Sequence, residues 1–140
     1  MKEKQLQDIT ALYGRLSRDD EVGGESMSIQ SQRAILGQYA KEHGFTNCQF
    51  FMDDGYSGTN FDRPAFTEMM ELVEQRRVRT IIVKDLSRLG RNYLEVGRYT
   101  EVIFPENKVR FIAITDGVDS AAGDNEFAPF KNIINEWYAK

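Results

Sequence analysis

The sequence predicts a three-layer α/β domain whose central sheet, of four or five largely parallel strands, is flanked by helices. Three observations carry this. Short apolar runs alternate with segments of helical period, in the order strand, helix, strand, helix, strand, helix, strand, helix. The run Thr80-Ile81-Ile82-Val83 is β-branched and apolar, as an interior strand requires, and leads straight into a turn carrying Lys84, Arg88 and Arg91. Right-handed crossovers would bring the loops after Tyr13, Met52, Val83 and Ile114 to one edge of such a sheet, the edge where ligands of open α/β sheets bind.

Ile9–Tyr13 reads as the first strand, with Arg15 and Ser17 at its carboxyl end and the polar stretch 18–27 as a surface loop. Ser28 is placed to cap a helix that Gly44 closes, with Ile29, Leu36, Tyr39 and Ala40 on its apolar face. Gln49–Met52 reads as a strand followed by a turn-rich loop through Asn60. Asp62-Arg63-Pro64 opens a helix whose Phe66, Met69, Met70 and Val73 form a buried stripe. Asn92-Tyr93-Leu94-Glu95 has capping-box spacing before a helix that Pro105 helps end. Val109–Ile114 is a further strand, 116–125 a loop, and Phe127, Phe130, Ile134 and Trp137 line a last helix that begins near 125. The whole of 1–140 thus reads as one domain, with that last helix truncated at 140 and the domain cut from a longer protein.

Composition narrows the chemistry. With 41% hydrophobic and 29% charged residues the chain is a soluble globular type, and no apolar run suggests a membrane span or a signal peptide, so a cytoplasmic location is expected. One cysteine, Cys48, excludes an internal disulfide and reads as a small core residue. One histidine, His43, excludes a histidine-rich zinc site and a Ser-His-Asp triad, while Asp53 and Asp54 leave a carboxylate-bound magnesium open. The net charge of -4 argues against indiscriminate adhesion to nucleic acid. It permits a local basic site, for which Arg76, Arg77, Arg79, Lys84, Arg88, Arg91 and Arg98 make the middle of the chain basic.

No Walker motif or G-x-G-x-x-G fingerprint is present, so a nucleotide-binding module of flavodoxin type has little support. The candidates at the shared edge are Arg15, Ser17, Asp54, Ser57, Arg63, Lys84, Arg88 and Arg91. A serine without histidine needs another way to stabilise its alkoxide, and clustered guanidinium groups could do so while holding phosphate oxygens by paired hydrogen bonds. The same residues are also what an ordinary solvated turn would carry.

Four segments in order, Tyr13–Ser17, Ser28–Gln32, Asp53–Pro64 and Lys84–Asn92, resemble the catalytic domain of serine recombinases, the resolvase and invertase superfamily, and in wording its large transposon and phage-integrase members. The resemblance implies that Ser17 is the nucleophile that attacks a DNA phosphodiester, forming a 5′-phosphoserine link and releasing a 3′-hydroxyl. It implies that Arg15, Arg63, Arg88 and Arg91 surround the scissile phosphate, with Gln32, Asp54, Ser57 and Lys84 in support. Small resolvases carry aspartate where this chain has Ser87, which leaves the general acid for the departing 3′-oxygen unassigned. No cofactor and no metal is implied. The partners implied are double-stranded DNA recombination sites and further copies of the chain, a homodimer assembling into a synaptic tetramer. The family further implies a long helix and DNA-binding domains beyond this segment, so the segment alone is expected to bind DNA weakly and to be inactive in full recombination. The competing expectation is a catalytically silent domain that contacts the DNA backbone or joins recombinase subunits.

Overall fold

The computed structural model describes residues 8–16, 28–55, 63–90 and 92–122. The helix expected from near 125 lies outside the described residues. Strand β1 spans Ile9–Leu16, helix α1 Ile29–Glu42, β2 Cys48–Asp54, α2 Pro64–Glu74 and β3 Val78–Val83. A four-residue helix α3 follows at Leu86–Leu89, then α4 at Tyr93–Arg98, a π-helical turn at Tyr99–Ile103 and a last helical turn α5 at Phe104–Glu106. Strand β4 spans Arg110–Ala113 and β5 Val118–Asp119, before a 3-10 turn at Ser120–Ala122.

The sheet runs in the order β2-β1-β3-β4-β5, the first four strands parallel and β5 antiparallel to β4. Its registers explain the three layers. Ala11, Ile81 and Phe111 lie side by side, as do Tyr13, Val83 and Ala113, and this face packs on Phe66, Met69 and Val73 of α2 and on Leu86, Leu89, Val96 and Phe104. The alternate row, Leu12, Ile82 and Ile112, faces Leu36 and Ala40 of α1. Successive side chains of a strand point to opposite faces, so an unbroken apolar run such as Thr80–Val83 serves two cores at once.

Helix α1 starts where Ser28 Oγ accepts the Ser31 amide at 3.0 Å. It ends with Gly44 at φ 74° and Phe45 N–H bonded to Ala40 O at 2.9 Å, a left-handed closure. Helices α2 and α5 close the same way through Arg76 (φ 61°) and Lys108 (φ 59°), with bonds Arg77 N–H to Leu72 O and Val109 N–H to Phe104 O. Both cations sit beside helix C-termini, where the backbone dipole favours positive charge. Arg76, Arg77 and Arg79 precede or begin β3, so they lie at the amino edge of the sheet, and Arg79 is paired with Asp8 at 3.0 Å. These three do not contribute to the opposite edge, where Lys84 and Arg88 stand.

Several expectations are corrected. Cys48 is exposed, because it opens the edge strand β2 and no neighbouring strand covers it on that side. Arg15 belongs to β1 itself, since β1 continues to Leu16 against β2. The segment after Ile114 contains a strand, β5, whose Arg110–Asp119 pair (2.7 Å) binds it to β4. Pro105 stands one residue before the helix ends at Glu106, as expected, but the approach to it is not regular α-helix. The chain widens into the π turn first, with Phe104 N–H reaching Tyr99 O, so the ring that would crowd the carbonyl four residues back is accommodated in one more turn.

Leu36 is fully buried and is the larger of the two buried α1 side chains, with Ala40, in the smaller of the two cores. Leu36→Ala should cost about 2–5 kcal/mol of unfolding free energy, measured by urea denaturation.

Candidate active site

The carboxyl edge of the sheet is built around the termination of β3. The β1–β3 ladder stops at the Tyr13–Val83 pair, while β1 continues two residues further against β2. The Ile9 N–H bonds Arg77 O, so odd residues of β1 turn their backbone groups toward β3. Arg15 therefore has no strand opposite it on that side. The buried Gln32 side chain of α1 takes the vacant place. Its Oε1 accepts Arg15 N–H at 3.1 Å and its Nε2 donates to Arg15 O at 3.0 Å, as a neighbouring strand would. Gly14 makes room for this: a Cβ there would stand 2.8 Å from Gln32 Oε1 and 2.6 Å from Met52 Sδ.

Beyond β3 the chain turns through Lys84 and Asp85 into α3. A helix of four residues leaves nearly all its backbone groups without internal partners, so its ends must be satisfied from outside. At the amino end, Asp85 accepts the Arg88 amide at 3.3 Å and Asp116 accepts the Leu86 amide at 2.7 Å. At the carboxyl end, Arg15 Nη2 donates to Ser87 O at 2.6 Å, while Arg63 donates to Arg88 O at 3.2 Å and to Leu89 O at 2.5 Å. Arg88 in turn sends Nη1 to Arg15 O at 3.0 Å. Acids cover the positive end of the helix and arginines the negative end, the arrangement its dipoles favour.

Arg15, Arg63 and Arg88 are 0%, 1% and 6% exposed, which fixes the guanidinium groups in one place. Arg63 also lies over the rings of Phe66 (4.8 Å) and Tyr13 (5.5 Å). Burial draws its pKa below the usual arginine value, opposed by Tyr13 and Asp53. Asp53 is the hub beneath. It accepts the Tyr13 hydroxyl at 2.8 Å and the Ala65 and Phe66 amides at 2.9 and 3.0 Å. It thereby caps α2, whose own N-cap residue Arg63 supplies no capping side chain. Burial, above all, drives the Tyr13 phenol far above its ordinary pKa.

The structure thus brings together Arg15, Gln32, Arg63, Lys84, Ser87 and Arg88 of the expected set. Asp54 ends β2 as an exposed residue, beside Leu16 in the ladder. Ser17, Ser57 and Arg91 lie outside the described residues. Sequence reasoning passed over Asp85 and Asp116 and did not find the role of Asp53. Asp53 was open as a magnesium ligand, and its carboxylate is committed to Tyr13 and to α2. The spacing Asp85-Leu86-Ser87-Arg88, an N-cap residue three before an amide it accepts, was legible; the reach of Asp116 from 30 residues away was not.

Three interlocked buried arginines thus stand at the carboxyl edge of a parallel sheet, and the comparisons with known proteins place the chain among serine-recombinase catalytic domains. Residues 10–140 match the family described as "Resolvase, N terminal domain", and the chain belongs to that family. Among solved structures, the N-terminal catalytic domain of TP901-1 integrase is similar at 25% identity, covering 94% of this chain and 97% of that one with a TM-score of 0.77. A resolvase family site-specific recombinase from Streptococcus pneumoniae is 25% identical over 91% of this chain and 86% of its own (TM-score 0.70). The C-terminal catalytic domain of ISC1926 TnpA, an IS607-like serine recombinase, is 25% identical over 76% and 70% (TM-score 0.62). No curated protein sequence matches the chain.

Two substitutions test the build of this edge. Gly14→Ala should push Gln32 off the Arg15 backbone and cost about 1–3 kcal/mol in chemical denaturation. Asp53→Asn replaces one acceptor oxygen by a donor, leaves one of three buried donors unmet, and should cost a similar amount, about 1–3 kcal/mol, by the same measurement.

Proposed function

We propose that this recombinase catalytic domain cleaves double-stranded DNA through Ser17, whose hydroxyl displaces the 3′-oxygen of a phosphodiester and holds the 5′-phosphate as a phosphoserine ester. The released 3′-hydroxyl of an exchanged strand then attacks that ester and restores both the DNA and the serine. The bond energy stays stored in the ester, so religation requires no energy cofactor. Arg15, Arg63, Arg88 and Arg91 neutralise the charge that develops on the phosphoryl oxygens, and fixed cations in a site of low dielectric are effective because they need no reorganisation as the reaction proceeds. Gln32, Asp54, Ser57, Lys84 and Ser87 support this set. The working unit is a dimer of full-length chains that pairs two DNA sites as a tetramer.

One observation carries the reading. Arg15 and Arg63 converge on α3, Arg88 reaches from α3 back to Arg15 O, and Arg15 is separated from Ser17 by a single residue of chain. A guanidinium has five N–H donors, so those that hold α3 and those that meet a phosphate can belong to the same side chain.

The arginines' bonds to α3 carbonyls would equally suit a silent domain in which they serve the fold alone. A suicide DNA site incubated with the full-length protein separates the two readings. The enzyme gives a covalent protein–DNA species that Ser17→Ala abolishes while DNA binding stays within about twofold, since removing a nucleophilic oxygen leaves the phosphate contacts in place. Adduct persisting in Ser17→Ala, or absent from the parent protein, contradicts the proposal.

A further inference from the structure

Asp85 carries more partners than helix capping requires. Its carboxylate accepts the Arg88 amide at 3.3 Å, which is the capping bond. It also accepts the Ser87 hydroxyl and Lys84 Nζ at 3.2 Å, and lies 3.8 Å from Arg88 Nε. A carboxylate offers about four acceptor sites; here three donors hydrogen-bond to it and the Arg88 guanidinium stands beside it as an ion pair. The Lys84, Ser87 and Arg88 side chains all belong to the segment that faces the phosphate site in the proposed reading.

The groups around Asp85 come from three elements. Lys84, Ser87 and Arg88 are on its own segment, Asp116 approaches from the turn after β4, and Arg15 of β1 holds the Ser87 carbonyl. Burial works to raise the Asp85 pKa, but the Ser87 hydrogen bond, the Arg88 charge and Lys84 together hold it below the usual carboxylate value. Asp116 is displaced the other way, chiefly by burial and partly by the Asp85 charge, with the Leu86 amide opposing. The two acids at the start of α3 are therefore pushed in opposite directions, and Asp85 is the one that meets the cations.

We infer that Asp85 is a positioning residue for strand cleavage: its carboxylate fixes the Ser87 hydroxyl and the Arg88 guanidinium as one unit facing the scissile phosphate. The inference rests on the proposed cleavage by Ser17 and deepens it. The Arg88 side chain is held from two sides, by Asp85 at Nε and by Arg15 O at Nη1, so it cannot swing away from the edge without breaking both contacts. Ser87 is held with its hydroxyl directed at the carboxylate, which leaves its oxygen lone pairs for a donor on the DNA side. Asp85 itself takes no part in bond making. It acts through the two residues it orients.

The test uses the full-length protein, a suicide DNA site, and the single-turnover rate of adduct formation at saturating protein, with the DNA dissociation constant and the melting temperature measured beside it. Asparagine caps helices about as well as aspartate, so Asp85→Asn keeps the start of α3 and removes the charge. The expected result is a fall of about tenfold or more in the rate, with binding and melting temperature unchanged. Asp85→Glu keeps a carboxylate beside both Ser87 and Arg88 and should hold the rate within about threefold of the parent. The parent-to-Asp85→Asn ratio should be flat over roughly pH 6 to 8 and shrink only below the ordinary carboxylate range, since a lowered pKa keeps the carboxylate ionised until then. An Asp85→Asn rate equal to the parent's, a fall that only follows a lost melting temperature, or an Asp85→Glu rate as low as that of Asp85→Asn overturns the inference alone. Absence of adduct from the parent protein overturns the Ser17 reading and this inference with it.

Discussion

The hydrogen bonds from Arg15 and Arg63 to the last carbonyls of α3 are the interaction on which the rest of this edge depends. A four-residue helix cannot stand by itself, because nucleating a helical turn is costly and its end groups are open. Here charged donors supply the carboxyl end, and a hydrogen bond to a charged group contributes about 1.5–3 kcal/mol, well above a neutral one. The dependence is mutual. Without α3 the buried guanidinium groups of Arg15 and Arg63 would lose these acceptors, and isolated buried charge is far more costly than paired charge. Helix and arginines therefore form together or not at all, and the cluster is part of the folded core as much as of the site.

That coupling sets how the site is aimed. Gln32 holds the backbone of Arg15 where β3 has ended, Asp53 ties Tyr13 to the start of α2, and Arg63 lies over the rings of Tyr13 and Phe66. Arg88 is held in turn by Arg15 O and by Asp85. The result is a set of cations with little freedom, on a chain whose net charge is -4. Local charge at the sheet edge and overall charge are separate quantities, and the local one governs how a phosphate is received.

Much of this was legible in the sequence, for reasons that differ by element. Thr80–Val83 could be read as an interior strand because it is apolar on both faces, and Ser28 and Asn92 as caps because capping is a local interaction between near neighbours. β5 was missed because it is two residues long and exists through the Arg110–Asp119 pair, a contact with no local signature. Cys48 was misread because burial depends on sheet order, and only the topology shows that β2 is an edge. The π turn before Pro105 has no local signature, although the end of the helix beside the proline does. At the site, motif spacing brought forward Arg15, Arg63 and Arg88, whereas Asp53 and Asp116 act on partners 12 and 30 residues away and left no pattern to find.

In the proposed reaction the braced arginines serve a phosphate whose attacker is Ser17, one residue beyond the β1 strand end. Peptide mapping by mass spectrometry of the covalent species formed between the full-length protein and a suicide DNA site tests this. The nucleotide remnant should be attached through its 5′-phosphate to Ser17. Attachment to Ser57, Ser87 or any other residue would contradict it.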